Sequence, residues 1–171
     1  MSKKLVVYFS HKEENYSKGK IGNLKKGNTE IATEIISSII ETDIFEIVAD
    51  KKYPIKYDDC IEIAKKELRE NSRPKLKDNI DIKEYDIIFV GYPNWWGTMP
   101  MPVWTFLEEK DFTNKKVLPF CTHEGSGLGK SESDIKKLTG GAEVLKGLAI
   151  NGSEVNNSEK QIKKWLEDSL K

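Results

Sequence analysis

The stretch Tyr85–Pro100, YDIIFVGYPNWWGTMP, decides how this chain folds. Its first eight residues form a nearly continuous apolar run of strand length, as expected for a strand buried on both faces of a parallel sheet. The run breaks at Pro93 into a turn shaped by Gly97 and carrying two adjacent tryptophans. Pro100 and Pro102 then suit the first turn of a following helix. Indoles set among Asn, Gly and Thr at a strand's end need a cover. That cover is the roof of the core, a dimer interface, or a flat apolar ligand.

Working outward, four more runs have strand length: KLVVYF (Lys4–Phe9), DIFEIV (Asp43–Val48), KVLPFC (Lys116–Cys121) and EVLKGLAI (Glu143–Ile150). Helical periodicity fills the gaps. Ile31, Ala32, Ile35, Ile36, Ile39 and Ile40 make an apolar double stripe, with Glu30, Thr33, Glu34, Ser37 and Ser38 opposite. Cys60, Ile61, Ala64 and Leu68 repeat the pattern, as do Val103, Phe106 and Leu107, and finally Ile162, Trp165, Leu166 and Leu170. Asn28 and Ser131 are N-cap candidates, and SEKQ from Ser158 has capping-box spacing. Strands alternating with helices through short connections specify an α/β domain with a parallel sheet and helices on both faces. The chain reads as a single domain over residues 1–171, interrupted by HKEENYSKGKIGNLKKG, residues 11–27, between the first strand and the first helix. An interruption of that length is either functional or disordered.

The 28 basic and 28 acidic residues cancel, so no global field recruits nucleic acid or an acidic membrane surface. Cys60 and Cys121 lack metal-ligand spacing and read as buried thiols. The first apolar run is too short for a signal sequence or a membrane span, which places the chain in the cytoplasm.

Ligands of an open parallel sheet bind outside the carboxyl ends of its strands, where strand order reverses. Three loops therefore matter. The first runs from Ser10 and His11 to Gly27, Asn28 and Thr29, where hydroxyls and free amides at a helix start suit a phosphate, although a plain helix cap also accounts for them. It has no Walker lysine and no dinucleotide fingerprint. The second is the tryptophan loop, and the third is CTHEGSGLGKS, whose Gly125, Gly127 and Gly129 let backbone amides converge on a carbonyl or anion. His11 and His123 both lie on these loops; His123 is a candidate proton donor to a reduced acceptor or else an ordinary loop histidine, and Lys12, Lys18, Lys20, Lys25 and Lys26 form a solvated face.

Taken in order, FSH…KGNTEIA, GYPNWWGTMPMPVWTFLE and PFCTHEGSGLGKS resemble the flavodoxin-like proteins, particularly the short flavodoxins and flavin reductases with a Trp-Trp-Gly loop followed by Gly-Ser-Gly. The resemblance spans essentially the whole chain. It implies a flavodoxin-like, doubly wound, five-stranded sheet of order 2-1-3-4-5 and one non-covalent FMN. It places Ser10, His11, Asn28 and Thr29 at the phosphate, and Pro93, Asn94, Trp95, Trp96 and Gly97 beside the isoalloxazine. Thr122, His123, Glu124, Gly125, Ser126 and Gly127 fall at the ring's polar edge. Gly97 is further expected to reorient its peptide with the redox state of the ring. The insertion at 11–27 departs from the family's usual short phosphate loop.

The expected activity is an FMN-dependent oxidoreductase passing electrons from a nicotinamide nucleotide or protein reductase to a small acceptor such as a quinone. The alternative is a dedicated electron carrier between redox proteins. The partner is then a small molecule or a redox protein, with the chain a monomer or a homodimer. A receiver-type signalling domain is disfavoured, because Ser10-His11 and Tyr92-Pro93 stand where acidic residues would be required.

Overall fold

The computed structural model describes residues 1–171. In chain order the elements are β1 (Lys4–Tyr8), β2 (Glu13–Ser17), β3 (Lys20–Leu24), α1 (Asn28–Ile39), β4 (Asp43–Glu46), α2 (Tyr57–Arg69), β5 (Ile87–Pro93) and α3 (Met101–Glu108). They continue with β6 (Lys116–His123), α4 (Ser131–Leu138), β7 (Glu143–Val144), β8 (Leu148–Asn151), a 3-10 helix (Gly152–Asn157) and α5 (Glu159–Ser169).

The main sheet has the order β4-β1-β5-β6-β7, with β8 also beside β6 and every pair parallel. Counting β7 and β8 as one position gives the expected order 2-1-3-4-5. The run EVLKGLAI is thus two short strands rather than one. The break falls where the Gly147 amide leaves the ladder and donates to Glu132 Oε2 of α4 at 2.9 Å.

Alternation along the strands sends Leu5, Val7, Ile88 and Val90 to one face and Val6, Tyr8, Phe89 and Leu118 to the other. Val103, Phe106 and Leu107 of α3 and Ile135 of α4 cover the first face. Ala32 and Ile36 of α1, with Ile162, Trp165 and Leu166 of α5, cover the second. In the centre Gly91 lies opposite Phe120, and a β-carbon there would stand 2.1 Å from the ring. Cys60 and Cys121 are free buried thiols, as expected. No helix is long and apolar enough to cross a membrane.

Local expectations change in several places. Thr33 belongs to the buried side of α1, its hydroxyl satisfied by the Thr29 carbonyl at 2.9 Å. None of the three expected side-chain caps forms. Gly27 occupies the N-cap of α1, and Ser10 supplies the missing oxygen by accepting from the Glu30 amide at 3.1 Å. Ser131 instead donates to the Leu128 carbonyl while accepting from Tyr92. Ser158 donates to the Val155 carbonyl at 2.6 Å.

The stripe on α2 also has a different destination. Only Cys60 and Ala64 of that helix are buried, and neither joins the two sheet cores. The interruption after β1 is an ordered antiparallel hairpin of β2 and β3, turned at Lys18 and Gly19. Both turn residues have positive φ, 51° and 81°, the handedness that matches the twist of the flanking strands.

Candidate functional site

An open-mouthed cleft of about 360 Å³ lies at the carboxyl ends of β1, β5 and β6. Its walls are the start of α1, the tryptophan loop, the loop after β6, one face of α2 and the hairpin. The volume falls within the usual range for cofactor sites, about 300–1,000 Å³.

One end is polar. Asn28 and Thr29 open α1, and their amides have no intrahelical acceptor. Together with the helix dipole they form a place for an anion. The Thr29 and Thr122 hydroxyls meet at 2.8 Å beneath this end, both buried. Glu124 accepts from the Ser153 hydroxyl at 2.6 Å, and the Ser153 hydroxyl lies 3.1 Å from that of Ser17 on the hairpin. The hairpin tip is thereby tied to the 3-10 helix after β8. His123 Nδ1 accepts from the Gly125 amide at 2.9 Å, which leaves its proton on Nε2.

The other end is aromatic. Residues 95–98 form a tight turn, with the Trp95 amide donating to the Thr98 carbonyl at 2.9 Å. Its two central residues, Trp96 and Gly97, have φ of 56° and 87°. Trp95 points inward, where Phe9, Tyr53 and His11 meet its ring edge-on at centroid distances of 5.2, 5.1 and 5.8 Å. Trp96 stays at the rim, its indole N–H donating to the Ile61 carbonyl of α2 at 3.1 Å.

The glycine-rich loop clasps the tryptophan loop. Asn94 Nδ2 donates to the Gly127 carbonyl at 2.8 Å, and the Gly97 carbonyl accepts from the Lys130 amide at 2.7 Å. Asn94 Oδ1 takes the Gly97 amide at 2.9 Å. Gly97 is therefore held at both its amide and its carbonyl.

His11 links the hairpin to α2. Its Nε2 lies 3.2 Å from the Pro54 carbonyl, so that nitrogen carries the proton, and Asn15 Nδ2 approaches Nδ1 at 3.5 Å. Burial holds its pKa below the ordinary histidine value, opposed only in part by the Pro54 carbonyl. Cys60 Sγ stands 3.7 Å from the same Nε2. Burial pushes that thiol up to about 12, so it is neither a nucleophile nor a thiolate ligand at neutral pH.

Of the residues expected at the site, His11, Asn28, Thr29, Pro93, Asn94, Trp95, Trp96, Thr122, His123, Glu124 and Ser126 line the cleft. Ser10, Gly97, Gly125 and Gly127 stand behind it as caps and loop formers. The structure adds Glu14, Asn15 and Tyr16 of β2 and the Tyr57, Cys60, Ile61 and Ala64 face of α2. The i, i+3, i+4, i+7 spacing of the α2 set is visible in the sequence, but spacing alone does not distinguish a cleft wall from a core face.

No curated protein sequence matches the chain. Among solved structures, a candidate flavoprotein from Bacteroides eggerthii is 28% identical with a TM-score of 0.78, covering 98% of each chain. A flavoprotein from Lactobacillus acidophilus in complex with FMN is 25% identical with a TM-score of 0.63, covering 92% of this chain and 98% of its own. Flavodoxin 2 from Bacillus cereus shares the fold at 19% identity, with a TM-score of 0.53 and coverage of 98% and 99%. The family model described as flavodoxin matches residues 20–169. With that much of its length matched, and with its cleft at the strand ends where the sheet order reverses, the chain belongs to the flavodoxin family.

Proposed function

We propose that the cleft holds one FMN, with its phosphate at Asn28 and Thr29 and its ring against Trp95. We further propose that the protein passes electrons from a nicotinamide nucleotide or a protein reductase to a small acceptor such as a quinone. The observation that carries this is the pairing, within one cleft, of free amides at the start of α1 with an inward indole after β5. The FMN-bound relative from Lactobacillus acidophilus supports the choice of flavin.

FMN supplies the redox chemistry, and the chain binds, orients and shields it. The Asn28 and Thr29 amides and the Thr29 hydroxyl serve the phosphate. Glu124, on the cleft wall and held by Ser153, would meet polyol hydroxyls, and Trp95 would offer an apolar surface to the ring. A single anion-binding end provides for one phosphate group, which favours FMN over FAD. The enzyme reading is favoured over the carrier by the hairpin, which walls one side of the cleft, and by a charge balance of 28 to 28, which supplies no net acidic field for docking on a basic partner. Two free cysteines accord with a cytoplasmic home.

Calorimetric titration of the apoprotein with FMN, riboflavin and FAD tests the cofactor, and tighter FAD binding overturns it. Thr29→Ala is expected to weaken FMN by about 1.5–3 kcal/mol, the worth of a charge-assisted hydrogen bond, and riboflavin by much less. Anaerobic mixing of the holoprotein with NADH or NADPH then separates the two activities: bleaching of the flavin marks a reductase, and inertness until a protein reductase is added marks a carrier.

A further inference from the structure

We propose that Tyr16, Tyr57 and Trp96 form a seat at the cleft mouth for a planar, conjugated carbonyl acceptor of one or two rings, distinct from the surface that takes the flavin. This rests on the FMN assignment above. Two indoles of one turn sit at two depths. Trp95 is packed edge-on by His11 and by Phe9 and Tyr53 on the core side of the cleft wall, while Trp96 remains 48% exposed at the rim.

Nothing in the core requires an indole at the rim. Trp96 holds a left-handed backbone, φ 56°, which is unfavourable for a bulky side chain and is retained mainly where surrounding structure enforces it. Its indole N–H is fixed to the Ile61 carbonyl at 3.1 Å, and Lys65 Nζ stands 5.2 Å from the ring centroid.

Tyr16 is 43% exposed, yet its backbone is tied down by its neighbours. Glu14 Oε2 accepts from the Tyr57 amide at 2.7 Å, Asn15 Nδ2 donates to the His11 carbonyl at 3.0 Å, and Ser17 meets Ser153 at 3.1 Å. The Tyr16 and Tyr57 rings consequently lie side by side, centroids 6.4 Å apart and planes inclined by 32°. An exposed ring carried on a backbone tethered on both sides presents a flat surface at a reduced entropic cost to binding, as a preorganised recognition element does.

The chemistry of the seat selects the ligand. Exposed rings favour a flat conjugated molecule. The Lys65 ammonium beside Trp96 favours one whose oxygen gains negative charge as it is reduced. A quinone meets both conditions. It takes two electrons from the reduced cofactor and two protons from that cofactor and solvent, becoming a hydroquinone as the flavin returns to its oxidised form.

The test uses FMN-loaded protein reduced anaerobically with stoichiometric dithionite and reoxidised in stopped flow. Two acceptors are compared: 1,4-naphthoquinone, which stacks, and hexacyanoferrate(III), which does not. In Tyr16→Ser and in Tyr57→Ser, the ratio of half-saturation concentrations, naphthoquinone over hexacyanoferrate, is expected to rise roughly three- to ten-fold, the loss of one aromatic contact. Tyr16→Phe, which keeps the ring, should match the parent. An unchanged ratio overturns the proposal. So does a fall in FMN affinity by the same factor, because the rings would then belong to the cofactor. A parent protein that takes up no FMN overturns the cofactor assignment itself, before any variant is compared.

Discussion

Burial of His11 among Asn15, Pro54 and Cys60 favours the neutral imidazole, so the unfolded chain takes up the proton before the folded one does. Stability from this residue is full above the ordinary value of 6.5 and is lost as pH falls from there through the lowered folded pKa. Glu46 and Glu67, raised chiefly by burial, act in the opposite direction: their contribution is full below 4.5 and lost as pH rises. Comparing His11→Asn with the parent cancels those carboxylates. Thermal melts from about pH 7.5 to about pH 5 should show the parent losing more stability than the variant, since only the parent carries a buried ring resisting protonation. Gly91→Ala should cost about 1–3 kcal/mol in urea denaturation, because the added methyl meets the Phe120 ring. The composition of β5 announced a buried strand, but a single sequence does not say which ring crosses which glycine. Ser10 shows the same limit: its position after β1 was legible, while its service as the oxygen for a helix capped by glycine depends on a contact across 20 residues.

The hairpin is the element least legible in advance. Its only large apolar residues, Tyr16, Ile21 and Leu24, are too few for a period-two pattern, and Lys18-Gly19 is a weak turn signal beside Asn-Gly. What orders it is tethering: Glu14 to the start of α2, Asn15 to His11 and Ser17 to Ser153. A cover so held should slow the escape of whatever lies beneath. Loss of the Glu14 carboxylate in Glu14→Ala removes a charge-assisted bond worth about 1.5 kcal/mol or more, so FMN dissociation should accelerate roughly ten-fold, read as recovery of flavin fluorescence after dilution. The strands β1, β5 and β6 and the helices α1 and α5 were legible because each buries one face or both. For α2, periodicity identified the helix and its stripe but not that the stripe turns toward a cleft.

At the scale of the molecule, a ligand that binds only the folded state raises stability by mass action. FMN at a hundred-fold excess over its dissociation constant should add about 2.7 kcal/mol and raise the melting temperature by roughly 5–10 °C. Riboflavin at the same concentration should give the smaller shift, because it leaves the amides of α1 without an anion. The position of the cleft followed from the strand order that the resemblance implied, since a reversal at the centre of a parallel sheet leaves a crevice there.

The broken fifth strand has a further consequence, for how copies of the chain behave when crowded. One border of the sheet consists of a two-residue and a four-residue piece, and the other is a four-residue strand beginning at Asp43 and ending at Glu46. Neither border offers a long row of vacant backbone groups on which a second chain could template itself. Apoprotein accumulating ahead of its cofactor is thus guarded against cross-β growth by the very interruption that shortens its sheet.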